Sequence, residues 1–342
     1  MNPVLVNITR GSHVESFHRG AVAVVDATGN VVFELGNTTA AVYPRSAVKP
    51  IQAVPLVASG AAESLGLSSA EIALACGSHG GTPSHVTAVR SMLAKAGLDE
   101  SCLACGGHWP LDEDAARRLA AAGERPSPLH DNCSGKHAGF LCLARHRGHP
   151  IAGYVEALHP TMQEVTATLR RFTDEPLTAD TMGIDGCSIP TFALPLRSCA
   201  VGLARLASGT TLRPEDAAAA RRIVAAMTTH PDMVAGPRRF ESRVMATYGP
   251  AVACKPGAEG VFCAGLSRRG LGVAIKIDDG NGRAAEAVMA VVLAALLAAD
   301  DQASPDPLVF QADPAIRTRG GMVVGLLGVT PELRAKLADL PT

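Results

Sequence analysis

The sequence has no surplus of charge of either sign. Its 342 residues include 31 lysines and arginines against 32 aspartates and glutamates, which gives a formal net charge of -1. Proteins that bind nucleic acid through its phosphates carry a basic surface, and this composition offers no such excess. The balance therefore excludes a partner that is chosen by bulk charge, and we expect no nucleic-acid partner.

A long apolar run and an N-terminal leader are also missing. The longest apolar run, Ala287 to Ala299, is rich in alanine and is shorter than the roughly 20 residues that cross a bilayer. Met1 to Arg10 contains no charged segment followed by an apolar one, as a secretory signal does. These absences predict a buried helix over the apolar run, no contact with a membrane and a cytoplasmic location.

Cysteine spacing and lysine number both bear on the chemistry. The nine cysteines follow no disulfide-framework spacing. Because their number is odd and no leader precedes them, we expect free thiols, most of them packed as small hydrophobic groups. Lysine is scarce, with six lysines against 25 arginines. Arginine stays charged in proteins whereas lysine can lose a proton, so the remaining lysines are candidates for chemistry.

Strand patterns occur at both ends of the chain, with helical patterns between them. The predicted strands are Val4 to Ile8, Gly20 to Asp26, Val31 to Leu35, Ala251 to Lys255, Val261 to Leu266 and Leu271 to Ile277, the second and third forming a hairpin. This order predicts an α+β fold, in which a mostly helical region is inserted into an antiparallel sheet. We expect a single unit over 1–342, with the sheet built from 1–79 and 246–342 and the helical part from 80–245.

Helical periodicity predicts a series of helices. They are Ser69 to Ala75, Pro83 to Ala96, Glu113 to Ala122, Thr161 to Phe172, Ile189 to Ser208, Glu215 to Thr229 and Arg283 to Ala299. The segment from Ser46 to Gly60 is helical in pattern but contains Pro50 and Pro55, so we expect a helix with a kinked start.

A serine and a lysine stand three residues apart in Ser46-Ala47-Val48-Lys49. At the start of a helix this spacing places both side chains on one face, where a neutral amine can take the proton of the hydroxyl. The helix N-terminus favours the negative charge that then develops nearby. Alone the motif is weak, because a solvent-facing pair with this spacing is common.

Two more segments strengthen this motif. β-Lactamases and penicillin-binding proteins combine Ser-x-x-Lys with Ser-Asp-Asn and Lys-Thr-Gly. Here Lys255-Pro256-Gly257 follows a predicted strand, but Pro256 stands in place of threonine and no Ser-Asp-Asn occurs, which argues against a β-lactam substrate. Ser78 and His79 lie among glycines, so this segment is either a structural turn or the source of a second Ser-Lys pair with Lys255.

Two polar, glycine-bearing segments, His130 to His137 and Gly183 to Ser188, are typical of loops. They are either turns with buried thiols or, if the loops meet, an unusual zinc site. Cys133, Lys136 and Cys187 would suffice for such a site, because thiolates bind zinc well and a neutral lysine amine can complete the donor set. The spacing is not that of a zinc finger.

Taken together, these segments resemble the bacterial L-asparaginase family of the Rhizobium etli type, nearly from end to end. The blocks that carry the resemblance are Tyr43-Pro44-Arg45-Ser46-Ala47-Val48-Lys49-Pro50, Cys76-Gly77-Ser78-His79, Asn132-Cys133-Ser134-Gly135-Lys136-His137, Gly183-Ile184-Asp185-Gly186-Cys187 and Lys255-Pro256-Gly257-Ala258-Glu259-Gly260. That family looks like the serine β-lactamase and glutaminase fold. The resemblance therefore implies a β-lactamase/glutaminase-like arrangement of the α+β fold.

The resemblance implies hydrolysis of L-asparagine to L-aspartate and ammonia. It implies two nucleophile-and-base pairs, Ser46 with Lys49 and Ser78 with Lys255, and we expect Ser46 to attack. The residues that it places at the substrate are Arg45, His79, His137 and Asp185. It also implies a zinc ion on Cys133, Lys136 and Cys187 that tunes substrate binding. A further family cysteine, expected between Gly236 and Met245, is absent from this chain.

Three alternatives stay open at this point. Metal-bound water could attack while Ser46 only positions the substrate. The chain could bind an amino acid without hydrolysing it, although Ser46, Lys49, Ser78 and Lys255 are all intact. The amide could belong to L-glutamine, which is one methylene longer. The resemblance, and the frequency of twofold assembly among soluble proteins, lead us to expect a homodimer.

Overall fold

The computed structural model describes residues 1–298 and 313–340. Its strands are β1 (Val4–Arg10), β2 (His13–Asp26), β3 (Val31–Leu35), β4 (Ala41–Val42), β5 (Met182–Ile184), β6 (Pro190–Phe192), β7 (Leu194–Pro195), β8 (Val252–Pro256), β9 (Val261–Leu266), β10 (Leu271–Ile277), β11 (Ala315–Arg317) and β12 (Val323–Val329). Its helices are α1 (Lys49–Gln52), α2 (Val54–Ala58), α3 (Ala61–Ser64), α4 (Ser69–Ala75), α5 (Pro83–Lys95), α6 (Glu113–Ala121), α7 (Ser134–Arg147), α8 (Pro160–Thr173), α9 (Leu196–Ser208), α10 (Pro214–Thr229), α11 (Pro231–Val234), α12 (Phe240–Tyr248), α13 (Gly282–Ala298) and α14 (Pro331–Ala338).

One antiparallel sheet of eight strands takes its strands from both ends of the chain. Seven strands follow the order β11-β12-β1-β2-β10-β9-β8, and β3 pairs with β2. The long strand β2 joins the two halves, because its first half pairs with β1 and its second half, Gly20 to Asp26, pairs with β10. The helices up to α12 lie between these strand groups in sequence, which confirms the α+β architecture. The boundaries at 79/80 and 245/246 stay a prediction.

The predicted β2–β3 hairpin is confirmed, but three parts of the sheet were missed. The first half of β2, His13 to Phe17, is exposed, so no buried alternation marks it as a strand. The short strand β11 is largely exposed, and Gly325 and Gly328 interrupt the apolar pattern of β12. Strands β12 and β11 extend the sheet beyond β1.

Two of the predicted helices are corrected by the structure. The predicted helix over Ser46 to Gly60 is divided into a 3-10 turn, Arg45–Val48, followed by α1 and α2. Pro50 and Pro55 lie in the first turns of α1 and α2, where the missing N–H costs no helical hydrogen bond. The helix predicted from Ile189 begins only at Leu196, because β6 and β7 precede it. The predicted end of the last long helix, Ala299, lies outside the described residues.

Helix α9 packs unusually close to the sheet through two glycines. A Cβ atom on Gly272 in β10 would overlap the Ala200 carbonyl oxygen, and one on Gly265 in β9 would lie 2.8 Å from the Ala207 Cβ. This approach brings the α9 backbone onto β9 and β10 and leaves both glycines buried. Helix α13 packs on β1, β9, β10 and β12. Within the described part of the chain, no helix combines the length and apolar character needed to cross a membrane.

The close contact of α9 with the sheet predicts a strong effect of a single methyl group. Gly272→Ala should destabilise the fold by about 3 kcal/mol or more, because the Ala200 carbonyl is helix backbone and cannot move aside. Gly282→Ala is the matched control, since a Cβ there meets nothing within 4 Å. Urea unfolding of both variants measures the difference. Equal midpoints for the two variants would contradict this packing.

Candidate functional site

Two buried lysines meet at the hydroxyl of Ser78. Lys49 and Lys255 are 1% and 0% exposed. The Ser78 Oγ lies 2.8 Å from Lys49 Nζ and 3.0 Å from Lys255 Nζ. The sequence predicts Ser78 beside Lys255, and the structure brings both lysines to the same oxygen.

Three separate elements position this group. Lys49 begins α1, Ser78 follows α4 in the loop Cys76 to Gly81, and Lys255 lies in β8. The Ser78 N–H donates to the Val234 carbonyl at 2.8 Å, which fixes the loop against α11. Gly77 is required here, because a Cβ would come within about 3 Å of backbone oxygens of α11 and α4.

The two lysines differ in their partners. Lys49 Nζ donates to the Gly77 carbonyl at 2.7 Å, to Ser78 Oγ, and to Cys133 Sγ at 3.1 Å. Three acceptors match the three hydrogens of an ammonium group. Burial, together with the charge of Lys49, lowers the pKa of Lys255 to about 7. Lys255 is therefore able to give and take a proton near neutral pH.

Ser46 lies half-buried at the start of the turn that leads into α1. Its carbonyl accepts the Lys49 N–H, but no hydrogen bond between the Ser46 hydroxyl and the Lys49 amine occurs within the described structure. Arg45 before it has φ of 51°, a left-handed conformation that is rare for residues other than glycine. The Arg45 Nε donates to Asp185 Oδ1. Arg45, which has a left-handed backbone conformation and pairs with Asp185, therefore fixes the position of Ser46 in the chain.

Two cysteines and a third lysine form a second buried cluster against the first. Lys136 Nζ donates to Cys187 Sγ at 2.9 Å, and Cys133 is linked to Lys49 as described. Cys133 and Lys136 lie at the N-terminus of α7, and Cys187 lies in the loop between β5 and β6. Gly135 allows the approach, since a Cβ there would lie 2.6 Å from the Leu74 carbonyl of α4.

The cluster contains opposite charges in close contact. A hydrogen bond from the Cys187 thiol, together with Lys49 and Lys136, lowers the pKa of Cys133 well below its ordinary value, and the same bond raises the pKa of Cys187. Burial lowers the pKa of Lys136, but the two sulfurs outweigh it and the net pKa is raised. Lys136 and Arg45 also hold the pKa of buried Asp185 below its usual range.

These groups determine which residues could hold a metal. No cluster of three or more His, Cys, Asp or Glu able to bind a metal ion is found in residues 1–298 and 313–340. Cys133, Lys136 and Cys187 form a different donor set, two sulfurs and an amine in mutual contact. These donor types fit zinc once the protons of Lys136 and Cys187 are lost.

The two histidines expected at the substrate are fully buried. His79 Nε2 contacts Ser134 Oγ at 2.9 Å, and its Nδ1 accepts the Gly81 N–H. His137 Nδ1 lies 2.7 Å from the Tyr154 hydroxyl, whereas its Nε2 has no hydrogen-bond partner among the described residues. Burial lowers the pKa of both rings. Contact with substrate stays a prediction for both, and only His137 has a nitrogen free for it.

Tyr154 belongs to the site but was not predicted from the sequence. It is 1% exposed, and its hydroxyl accepts the Ala104 N–H at 3.0 Å and contacts His137. The chain has only three tyrosines, and this scarcity was the only sign of Tyr154 in the sequence.

Two cavities reach the site residues. One of about 440 Å³ is lined by Ser78, Arg238 and Arg239. Another of about 430 Å³ is lined by Arg45, Tyr43, Glu259 and Lys276.

Comparisons with known proteins place the chain in a family. Residues 6–329 match the family model described as L-asparaginase II. Among curated proteins, none matches significantly in sequence. Similar solved structures include a β-lactamase from Mycobacterium bovis, at 15% identity and a TM-score of 0.39, with 78% of this chain and 89% of that chain covered. Mglu in its native form is 17% identical with a TM-score of 0.36, covering 89% and 69%.

The family match spans nearly the whole chain and includes every site residue described above. Its bounds run from β1 to the end of β12, so it covers the sheet as well as the inserted helices. The chain therefore belongs to the L-asparaginase II family and is a hydrolase that acts on amides.

Proposed function

We propose that this protein is an L-asparaginase that hydrolyses the side-chain amide of L-asparagine through a serine nucleophile. The observation that carries the proposal is the Ser78 hydroxyl held between Lys49 and Lys255. A hydroxyl in this position can accept a proton from one amine and donate one to the other. Beside Ser46, this arrangement supplies the proton transfer that amide hydrolysis needs.

The proposed proton path runs from Ser46 to Lys255. One of the Lys49 protons passes first through Ser78 to neutral Lys255, and the free Lys49 amine then takes the Ser46 proton as the oxygen attacks the amide carbon. The reverse transfer protonates the leaving nitrogen, and ammonia departs. Water then attacks the acyl-enzyme with the same groups as base, releasing L-aspartate and restoring Ser46.

Charged groups around the second cavity, which Arg45 next to Ser46 lines, support an amino-acid substrate. Arg45 and Lys276 line the second cavity with Glu259, so that cavity presents charges of both signs. A small zwitterion such as L-asparagine needs a cation for its carboxylate and an anion for its ammonium group. The volume of about 430 Å³ suits a ligand of this size.

Ser78 is the alternative nucleophile, because it and not Ser46 lies within hydrogen-bonding distance of a lysine amine. Two observations favour Ser46. Its hydroxyl makes no bond with Lys49, which leaves it free for a substrate, and it follows Arg45 in a strained backbone conformation that is typical of active sites. In substrate-free proteins the catalytic hydrogen bonds are often incomplete.

We also propose that Cys133, Lys136 and Cys187 hold zinc, which would supply a fixed positive charge beside the substrate and tune its binding. The chemistry needs no metal step, because Ser46 and the lysines provide nucleophile and base. Asp185, paired with Arg45, lies next to Cys187 and would orient this set.

Loss of either hydroxyl should abolish turnover. Ser46→Ala and Ser78→Ala should each lower kcat by about a thousandfold or more, and the double variant should be little worse because the two residues act as one unit. Ammonia release measures this, with exposed Ser84→Ala as control.

A diazoketone analogue of asparagine should label Ser46 in peptide mapping. Labelling of Ser78 instead would make Ser78 the nucleophile.

The pKa of Lys255 predicts the pH dependence. The base must be neutral, and burial beside Lys49 lowers its pKa to about 7. Below that pH Lys255 becomes protonated, so kcat/KM should fall with decreasing pH and be half-maximal near pH 7. Lys255→Arg should be inactive, because arginine keeps its proton. A profile that is flat through neutral pH would contradict this role of Lys255.

The proposed metal set predicts a selective change in zinc content. Cys187→Ala should lower the zinc bound per chain, while Cys199→Ala, also a buried thiol, should not. Because the ligands must lose their protons, zinc affinity should fall as pH decreases. Elemental analysis and kinetics should show less zinc and a raised KM with kcat largely kept. Turnover that vanishes with zinc, together with no adduct on either serine, would instead indicate attack by metal-bound water.

Substrate preference is the most direct test of the proposed function. Ammonia release should be faster from L-asparagine than from L-glutamine by about 10-fold or more, because one methylene in a closed pocket changes binding by about 1 to 3 kcal/mol. Both amides are assayed side by side with D-asparagine as control. Faster release from L-glutamine would make the protein a glutaminase, and release from neither would leave amino-acid binding without hydrolysis.

A further inference from the structure

Glu241, in the first turn of α12, is a buried carboxylate without a hydrogen-bond partner. The residue is 0% exposed. Neither Oε1 nor Oε2 accepts a hydrogen bond from any residue that the structure describes. Burying a polar group without a partner is costly, and an unpaired carboxylate is costlier than most. Its place in the core therefore calls for a partner that interacts through charge.

On the α12 side Glu241 has one ion pair, to a half-exposed arginine, and one neighbouring carboxyl group. Arg239 Nε lies 3.6 Å from Glu241 Oε1, and the Arg239 side chain is half exposed, which weakens the attraction. Glu286 of α13 is partly buried close by, where burial and the charge of Glu241 raise its pKa. This second carboxyl group repels a negative charge on Glu241 and supplies no counter-ion for it.

Lys255 is the buried amine on the other side of Glu241. Helix α12 packs on β8, the strand that carries Lys255, and the thiol of Cys254, next to it in the strand, donates to the Glu241 carbonyl at 3.8 Å. Glu241 attracts the Lys255 ammonium electrostatically. The hydrogen bonds of Lys255 go to Ser78 and to the Pro256 carbonyl, so no anion is bound to it directly within the described residues.

The charged and titratable groups that face Lys255 come from four helices. Those present are Lys49 of α1, Cys76 at the end of α4, Cys133 before α7, and Arg239 and Glu241 at the start of α12. Lys49 and Arg239 disfavour an ammonium on Lys255, whereas Glu241 and the Cys133 sulfur favour it. Glu241 is the only carboxylate among them.

We propose that Glu241 is a positioning residue that acts through Lys255, with its buried carboxylate serving as the counter-ion of the ammonium formed when Lys255 accepts the Ser78 proton. The O–H bond of Ser78 breaks and an N–H bond of Lys255 forms, while a proton from Lys49 restores the Ser78 hydroxyl and the Ser46 proton restores Lys49, so a second positive charge appears inside the core beside Lys49. Without Glu241, Lys49 and Arg239 would oppose that charge and only the Cys133 sulfur would favour it. The proposal rests on the proton transfer proposed above.

The segment that carries Glu241 also differs from what the resemblance implies. The resemblance leads to a cysteine between Gly236 and Met245, and this chain has none there. The same segment instead contributes Glu241, which carries a full negative charge when ionised, whereas an ordinary thiol is mostly neutral at pH 7.

The test is a titration of Lys255 in Glu241→Gln, which keeps the shape of the side chain and removes its charge. With only six lysines, lysine labelled with ¹³C at Cε gives a simple NMR spectrum, and Lys255→Arg assigns the signal. The titration midpoint of Lys255 should move down by about one pH unit. The acid limb of kcat/KM for ammonia release should move in the same direction, and Glu241→Asp should restore most of the shift.

Glu286→Gln is the matched control, because it removes a neighbouring carboxyl group that does not face Lys255. Its Lys255 midpoint should not move down. An unchanged midpoint in Glu241→Gln, or an equal downward shift in Glu286→Gln, would overturn the proposal. Glu241→Met, of similar length and uncharged, replaces the glutamine variant if that variant does not fold. A shifted midpoint without ammonia release in the wild type would count against the proposed function alone.

Discussion

The repulsion between two buried lysines organises the centre of this protein. Lys49 and Lys255 approach the same Ser78 oxygen, and both are removed from water. Two ammonium groups at this separation in a medium of low polarity repel strongly, so one of them must give up its proton at neutral pH. The lower pKa of Lys255 follows from this constraint and from burial. The neighbouring loops keep the two lysines buried and close together.

Three acceptor groups lie against cationic side chains around this centre. Cys133 accepts from Lys49, Cys187 accepts from Lys136, and Asp185 pairs with Arg45. Lys49 and Arg45 each lower the pKa of the group that they contact, whereas Cys187 faces Lys136 as a thiol whose pKa is raised by its hydrogen bond to Cys133. A substitution in one member changes the proton affinity of the others, so the effects of combined substitutions should not add. The thiols therefore matter to the lysines whether or not they bind a metal.

The sequence predicted the α+β fold and the chain segments that meet at the site, but not how their side chains pair. Spacing indicated Ser46 with Lys49, whereas the Lys49 amine reaches 28 and 84 positions along the chain to Gly77 and Cys133. Such pairings depend on how α4 and α7 pack, which Gly135 permits and no local pattern reveals. Glu241 and Tyr154 were missed for the same reason, since burial without periodicity leaves no signal in the sequence.

The late position of Lys255 in the chain has a consequence for biosynthesis. Lys255 is 177 residues beyond Ser78, and β8 joins the N-terminal strands only through β9 and β10. A growing chain therefore carries both serines and the thiols long before their second lysine is anchored. Because domains fold as their segments leave the ribosome, the helices can pack early while the hydrolytic centre stays incomplete. A chain that ends before β8 would then lack Lys255 and with it one of the two lysines that contact Ser78.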